Sequence, residues 1–196
     1  MTLHCSMGVS IDGFVADRDG DFGWSVPSDE QFALSLEQVG ELGAYVLGRR
    51  LYEAMRVWET DPAIRSTPAR DAFADVWCAL PKVVFSRTLD AVEGNARLAT
   101  GPFADEVRAV VAGTDRPVSI GGADLVRQAF SLGLLDEVRL FRNPIVLGGG
   151  NPLLPPVTDA VRLELLETRS FTTPCVYERY RVVRDESRPA AGSPPA

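Results

Sequence analysis

Among 196 residues the chain has one histidine, His4. That scarcity removes two large classes of chemistry. A Ser-His-Asp triad has almost no material to work with, and a histidine-rich metal site has none. Cysteine is also sparse. Cys5, Cys78 and Cys175 form no metal-ligand spacing, and an odd count argues against a disulfide framework. No apolar run approaches the roughly 20 residues that span a bilayer. The first residues, Met1-Thr2-Leu3-His4-Cys5, lack the basic-then-apolar order of a secretion signal. A cytoplasmic protein with no membrane partner and no bound metal is expected. Basic clusters are missing too. A net charge of −7 argues against nucleic acid as a partner, because phosphate contacts need grouped Lys and Arg. It leaves room for a small anion held by local arginines. Proton chemistry falls to carboxylates, tyrosine or water, and His4 reads as structural or solvent-facing.

What is present is ordinary for a globular protein with a core: 45% hydrophobic and 24% charged residues. One domain over 1–185 is expected, with a disordered Ser/Pro/Ala/Gly tail over 186–196. Residues 3–11 read as a strand, with a short return at 14–16. Ser28 and Gln31 form a capping box before Phe32, Leu36 and Val39, which predicts a helix over 28–40. Strands follow at 44–47, 82–86, 117–120 and 136–142. Helices are expected near 49–56, 69–76, after Pro102 and after Gly122. Two long alternating segments, 161–171 and 175–184, turn near Thr173-Pro174 as an antiparallel pair. Such alternation predicts an α/β fold in which helices cover both faces of a mostly parallel sheet, with antiparallel C-terminal edge strands.

Three strand ends share a chemistry. Val118-Ser119-Ile120-Gly121-Gly122-Ala123-Asp124 passes from strand to helix through two glycines, which frees backbone N–H groups for an anion. Leu47-Gly48-Arg49-Arg50 sets a glycine and two arginines at a helix start. Phe85-Ser86-Arg87-Thr88 ends a strand in hydroxyls around an arginine. Ligands of open α/β sheets bind outside the carboxyl ends of strands, and these groups suit a diphosphate with one further phosphate. No G-x-G-x-x-G is present, so the ordinary Rossmann fingerprint is absent. Plainer readings stand beside these. Asp29 serves equally well as a helix-start acid, and Arg49, Arg50 and Arg87 as solvated residues, while Asp12-Gly13 by itself reads as a structural turn pair. Gly148-Gly149-Gly150 serves equally as a tight bend, and Trp24, Trp58 and Trp77 as packing anchors.

The order of these motifs resembles the dihydrofolate-reductase-like superfamily. It runs from Ser10-Ile11-Asp12-Gly13 and Leu47-Gly48-Arg49 with Tyr52-Glu53 to Val83-Val84-Phe85-Ser86-Arg87 and Ile120-Gly121-Gly122-Ala123. Asp136-Glu137-Val138 and Pro144-Ile145-Val146-Leu147-Gly148-Gly149-Gly150-Asn151-Pro152-Leu153 complete it. Within that superfamily the chain is most similar to the RibD C-terminal-domain branch, the reductase domain of riboflavin biosynthesis. The resemblance covers about residues 2–184 and implies a three-layer α/β/α reductase using NADPH. The backbone at Gly48-Arg49, beside Arg50, and at Gly121-Gly122-Ala123-Asp124 would hold the pyrophosphate. Ser86 and Arg87 would lie by the 2′-phosphate, and Ser10, Asp12 and Gly13 would border the nicotinamide and substrate. Asp29 or Asp12 would polarise or protonate the substrate, with Trp24 in the substrate loop. The implied reaction is hydride transfer to a pyrimidine, pterin or related heterocycle, and the implied assembly is a homodimer using 161–184. Two alternatives stay open: a non-catalytic NADP(H)-binding sensor, and a tailoring or resistance reductase with an unrelated substrate.

Overall fold

The computed structural model describes residues 1–184. The expected tail, 186–196, lies outside the described residues. The first strand, β1 (Leu3–Val9), is followed by β2 (Phe14–Ala16), α1 (Asp29–Gly40), β3 (Ala44–Gly48), α2 (Arg49–Met55) and α3 (Val57–Thr60). Then come α4 (Pro68–Ala79), β4 (Lys82–Phe85), β5 (Ala96–Leu98), α5 (Phe103–Ala112), β6 (Val118–Gly121) and α6 (Ala123–Ser131). The chain continues through β7 (Glu137–Arg142), β8 (Asn151–Pro152), β9 (Leu163–Ser170) and β10 (Val176–Val182). An eight-stranded sheet has the order β5-β4-β3-β6-β1-β7-β10-β9. Its pairings from β5 to β7 are parallel. β10 runs antiparallel to both β7 and β9, which supplies the expected edge. β2 and β8 form a separate antiparallel ribbon.

Helices α1 and α4 begin where side chains can satisfy their first N–H groups. Ser28 and Gln31 make both bonds of the capping box at the start of α1, and Thr67 caps α4, whose first residue is Pro68. Helices α5 and α6 pack on one face of the sheet, burying Val107, Val126 and Ala129 against Leu3, Cys5, Val46 and Ile120. On the other face Leu47, Tyr52, Phe73, Trp77 and Val84 form a second core, with Phe32, Leu36 and Trp58 against it. The result is a three-layer α/β/α fold. Trp58 and Trp77 are packing residues, flanking Phe73 at centroid distances of 4.5 and 6.2 Å. β5 and α3 were not expected. Both are short, and neither has the length that lets periodicity stand out.

One charge sits inside the second core. Lys82, the only lysine of the chain, has a side chain 0% exposed. Its Nζ is 3.1 Å from Glu59 Oε1 and donates to the Leu80 carbonyl at 3.1 Å. It also lies 5.0 Å from the centre of the Trp77 ring. A buried ammonium is tolerated only with such partners, so this ion pair ties α3 to β4 beneath α4. Replacing Glu59 with Gln leaves the charge uncompensated. Urea unfolding should then show a loss of about 3 kcal/mol, and wild-type stability in Glu59→Gln would refute the pairing as a structural tie.

Candidate functional site

β3 and β6 lie side by side, paired from Ala44↔Val118 to Leu47↔Gly121. Beyond their carboxyl ends the chain parts. From β3 it leads to β4 on one side, and from β6 it leads past β1 to β7 on the other. Divergence of neighbouring parallel strands opens a crevice with a helix start on each wall. Gly48 precedes α2 and Gly122 precedes α6, and no side chain caps either start. Gly122 holds φ 94°, a region that favours glycine. A Cβ there would stand 3.4 Å from the Gly48 nitrogen. A Cβ on Gly121 would run into Leu51 and Tyr45. The two backbones can approach because side chains are missing at this point.

A groove of about 1510 Å³ runs over this crevice. Gly48, Arg49, Arg50, Ser86, Arg87, Gly122, Ala123 and Asp124 all line it, drawn from three strand ends. Arg49 is held by Glu53 at 3.1 Å. Asp124 pairs with Arg127, which also donates to Asn151 Oδ1 at 2.9 Å. Arg50 and Arg87 have no carboxylate partner among the described residues. Ser86 Oγ accepts from the N–H groups of Thr88 and Leu89 at 3.1 and 2.9 Å, which keeps its own proton available to donate.

Ser10, Asp12 and Gly13 lie outside the groove's lining. Their polar groups are spent on architecture. Ser10 Oγ donates to Asp12 at 2.7 Å and accepts from Phe14 N–H at 2.9 Å. Asp12 also accepts from Leu147 and Gly148 N–H at 3.2 and 2.7 Å, clamping the β1–β2 turn to the glycine run. The Ser10 hydroxyl holds its carboxyl below the usual range, desolvation opposes it, and the Gly148 and Leu147 N–H groups add to the lowering. The end of the glycine run is close-packed. A Cβ on Gly150 would strike the Ala16 carbonyl and the Asp17 backbone. Trp24 is half-buried, donates to the Asp21 carbonyl at 3.3 Å and lines neither cavity. Asp29 is exposed on the first turn of α1 and also lines neither. Its neighbour Glu30 accepts from Thr172 N–H and Oγ1 at 2.8 and 2.9 Å, fastening α1 to the β9–β10 turn.

A second cavity, about 220 Å³, lies between α1, α4 and the sheet. It meets the groove at Ser6, Met7, Gly8, Ser25, Tyr45 and Met55, which line both. Helix α1 faces it with Gln31, Ser35 and Gln38, and the sheet with His4, Ser6, Tyr45 and Ser119. Ser6 Oγ donates to Gln38 Oε1 at 3.0 Å. His4 is 1% exposed. Burial first, then the nearby Arg139, lower its pKa to about 3, with Arg179 adding and Glu137 opposing. It is therefore a neutral imidazole. Its Nδ1 and the Nε1 of Trp77 are both buried without a hydrogen-bond partner among the described residues. Behind it Glu137 accepts from Arg139 at 3.0 Å and from Arg179 at 2.8 Å, a fully partnered cluster.

The model of the RibD C-terminal domain matches residues 1–177. The chain belongs to this family. It is 28% identical over 172 residues to the uncharacterized protein YyaP of Bacillus subtilis, covering 85% of this chain and 87% of that one. A putative riboflavin biosynthesis protein from Shewanella sp. PV-4 superposes with a TM-score of 0.73 at 22% identity, covering 94% of this chain and all of the other. Dihydrofolate reductase from Enterococcus faecalis, complexed with NADP(H), gives a TM-score of 0.60 at 15% identity, over 92% of this chain and 96% of that one. Both structures share the fold.

In this RibD C-terminal-domain member, sequence reasoning missed the polar cavity. The signal was present in two places: the alternation of His4, Ser6 and Gly8 in β1, and Gln31, Ser35 and Gln38 at helical spacing in α1. His4 also yields a pH dependence. Its folded pKa is depressed, so the unfolded chain takes up a proton below about 6.5 while the folded one resists until about 3. The stabilising contribution is complete above 6.5 and falls by about 1.4 kcal/mol per pH unit beneath it. Unfolding free energies between about pH 6.5 and 5 should slope this way, and the slope should vanish in His4→Gln. An unchanged slope would remove His4 as its source.

Proposed function

We propose that this protein is an NADPH-dependent reductase that delivers a hydride to a pyrimidine, pterin or related heterocycle. The observation that carries this reading is the crevice between Gly48 and Gly122, where side-chain-free backbone and two helix starts face one groove. Backbone N–H groups there suit a pyrophosphate. The missing Cβ atoms leave the close approach that a bound diphosphate needs. Arg50 and Arg87, without a carboxylate partner among the described residues, would take a further phosphate, which favours NADPH over NADH. Bound there, NADPH would supply the hydride, and the protein's part is to hold and orient the reactants. The names of two structures with this fold support the same reading, one a putative riboflavin biosynthesis protein and the other a dihydrofolate reductase complexed with NADP(H).

Neither Asp12 nor Asp29 is assigned the proton. The first is committed to Ser10, Leu147 and Gly148, and the second is exposed outside both cavities. Water admitted at the junction of groove and cavity, beside Ser6 and Tyr45, is the donor that the lining allows. We also infer a homodimer through the β9 edge, where Leu163 and Leu165 are exposed on a strand with one side unpaired.

Calorimetry should show NADPH binding, with Arg87→Ala weakening it about ten-fold while NADH binding changes little. Equal losses for both cofactors would remove Arg87 from the phosphate site, and no NADPH binding by the wild type would end the reductase reading. Light scattering should give a dimer that Leu165→Glu dissociates. A monomeric wild type at micromolar concentration would refute the edge.

A further inference from the structure

Beyond its two helix starts the groove has a third wall, supplied by a different part of the chain. The β2–β8 ribbon and the segment after β2 bring Val15, Ala16, Phe22 and Asn151 to the lining. Asp124, Arg127 and Gln128 of α6 line the same groove. The ribbon is a small sheet of its own, three residues against two, with an irregular register between Phe14 and Ala16. So short a ladder is marginal by itself. Its hydrogen bonds tie residues 10–18 to residues 145–153. Asp12 takes the Leu147 and Gly148 N–H groups, Arg18 donates to the Gly148 carbonyl at 2.7 Å, and Leu153 N–H donates to the Gly13 carbonyl at 3.0 Å. None of these reaches α6.

One side chain crosses from the helix to the ribbon. Arg127 Nη1 donates to Asn151 Oδ1 at 2.9 Å and to the Pro152 carbonyl, and its Nη2 donates to Asp124. Among the described residues no other side-chain hydrogen bond joins α6 to the ribbon. Asn151 stands opposite Ala16, so the bridge reaches the strand that lines the groove. The Arg127 side chain is 23% exposed, and its charge-assisted bonds to β8 count for more than a solvated surface pair. Leu153 and Leu154 add apolar contact with the core that holds Val126 and Ala129. Such contact is non-directional, whereas a planar fork with fixed donors sets where its acceptors must lie. Both terminal nitrogens are engaged, so this guanidinium, unlike those of Arg50 and Arg87, is already committed. It also offsets Asp124, the acid in the first turn of α6.

We propose that Arg127 is a positioning residue for the cofactor, acting through the ribbon without touching the cofactor itself. It holds the β2–β8 ribbon against α6, so that the groove is preset for the half of the dinucleotide that Arg50 and Arg87 do not take. The inference rests on the reductase reading. In that reading the phosphates of the adenosine half belong to the ends of β3 and β4, and their binding does not depend on the ribbon.

Calorimetry on the full-length protein compares NADPH with 2′,5′-ADP, which carries the adenosine end alone, while amide hydrogen exchange follows the ribbon. Arg127→Gln should weaken NADPH about ten-fold and leave 2′,5′-ADP within about two-fold. Exchange over residues 10–18 and 145–153 should quicken about ten-fold while α6 stays protected, with circular dichroism confirming the fold. Arg127→Lys keeps the charge beside Asp124 without the fork, and should resemble Arg127→Gln on both ligands. Adding Asn151→Ala to Arg127→Gln should cost little further NADPH affinity, as expected of two groups that share one contact. Equal losses of NADPH and 2′,5′-ADP would make Arg127 a phosphate contact and overturn the proposal. So would full recovery of NADPH binding in Arg127→Lys, or ribbon exchange unchanged in Arg127→Gln. A wild type that binds no NADPH, with ribbon exchange still quickened by Arg127→Gln, would count against the reductase reading and not against the bridge.

Discussion

The close approach of Gly48 and Gly122 is the constraint on which the groove depends. β3 and β6 are hydrogen-bonded neighbours until Leu47 and Gly121, and the next residue of each begins a separate wall. Any side chain at Gly121 would press on Leu51 and Tyr45, and one at Gly122 would crowd the Gly48 backbone. Pushing them apart would move the starts of α2 and α6 and the arginines that follow. The sheet order makes this the place where two crossovers leave in opposite directions, so the crevice follows from topology. The glycines decide how closely a ligand can meet the backbone.

A second dependence runs through the polar side of β1. Leu3, Cys5 and Val9 complete the core beneath α5 and α6, while His4 and Ser6 look towards α1. An alternating strand is ordinarily half-solvated. Here α1 covers the polar face and turns it into a cavity wall. The helix is held at both ends of its first turn, by the Ser28–Gln31 box and by Glu30 on Thr172. Its inward row of amides and hydroxyl is therefore fixed in position relative to the sheet.

What could be read from sequence depended on whether the cause was local. The capping box, the glycine strand ends and the long final hairpin are each specified by adjacent residues, and each stands where expected. Three residues at Ala96–Leu98 carry too little pattern to announce a strand, and their pairing with β4 is a tertiary fact. That Gly48, Arg49, Ser86 and Gly122 line one groove was legible because strand ends gather at one edge of a parallel sheet. Ser10 and Asp12 also sit at a strand end, but Asp12 is consumed by the contact with residues 147–148, more than 130 positions away, and Ser10 by Asp12 and Phe14. Asp29 and Gln31 lie within one helical turn, and only the phase of α1 against the sheet decides which faces inward. His4 presented the same ambiguity. Alternation told that it faced away from Cys5, and only the placement of α1 told that this side is buried.

Together these features divide the site electrostatically. The protein is acidic overall, at −7, yet the crevice gathers Arg50 and Arg87, without a carboxylate partner among the described residues, beside uncapped helix starts. Local groups within a few ångströms outweigh a distant net charge that salt screens over roughly 8–10 Å. At the other end the lining is neutral and flanked by Phe73, Trp77 and Phe141, so the local dielectric is low. A ligand with an anionic end and an uncharged ring end would be oriented by this gradient alone, its phosphates drawn to the arginines and its ring towards the neutral pocket. The same gradient disfavours the reversed pose, because phosphates would meet no cation beneath α1 and would lose their water. Orientation is thus written into where the chain places its charges, before any single hydrogen bond is counted.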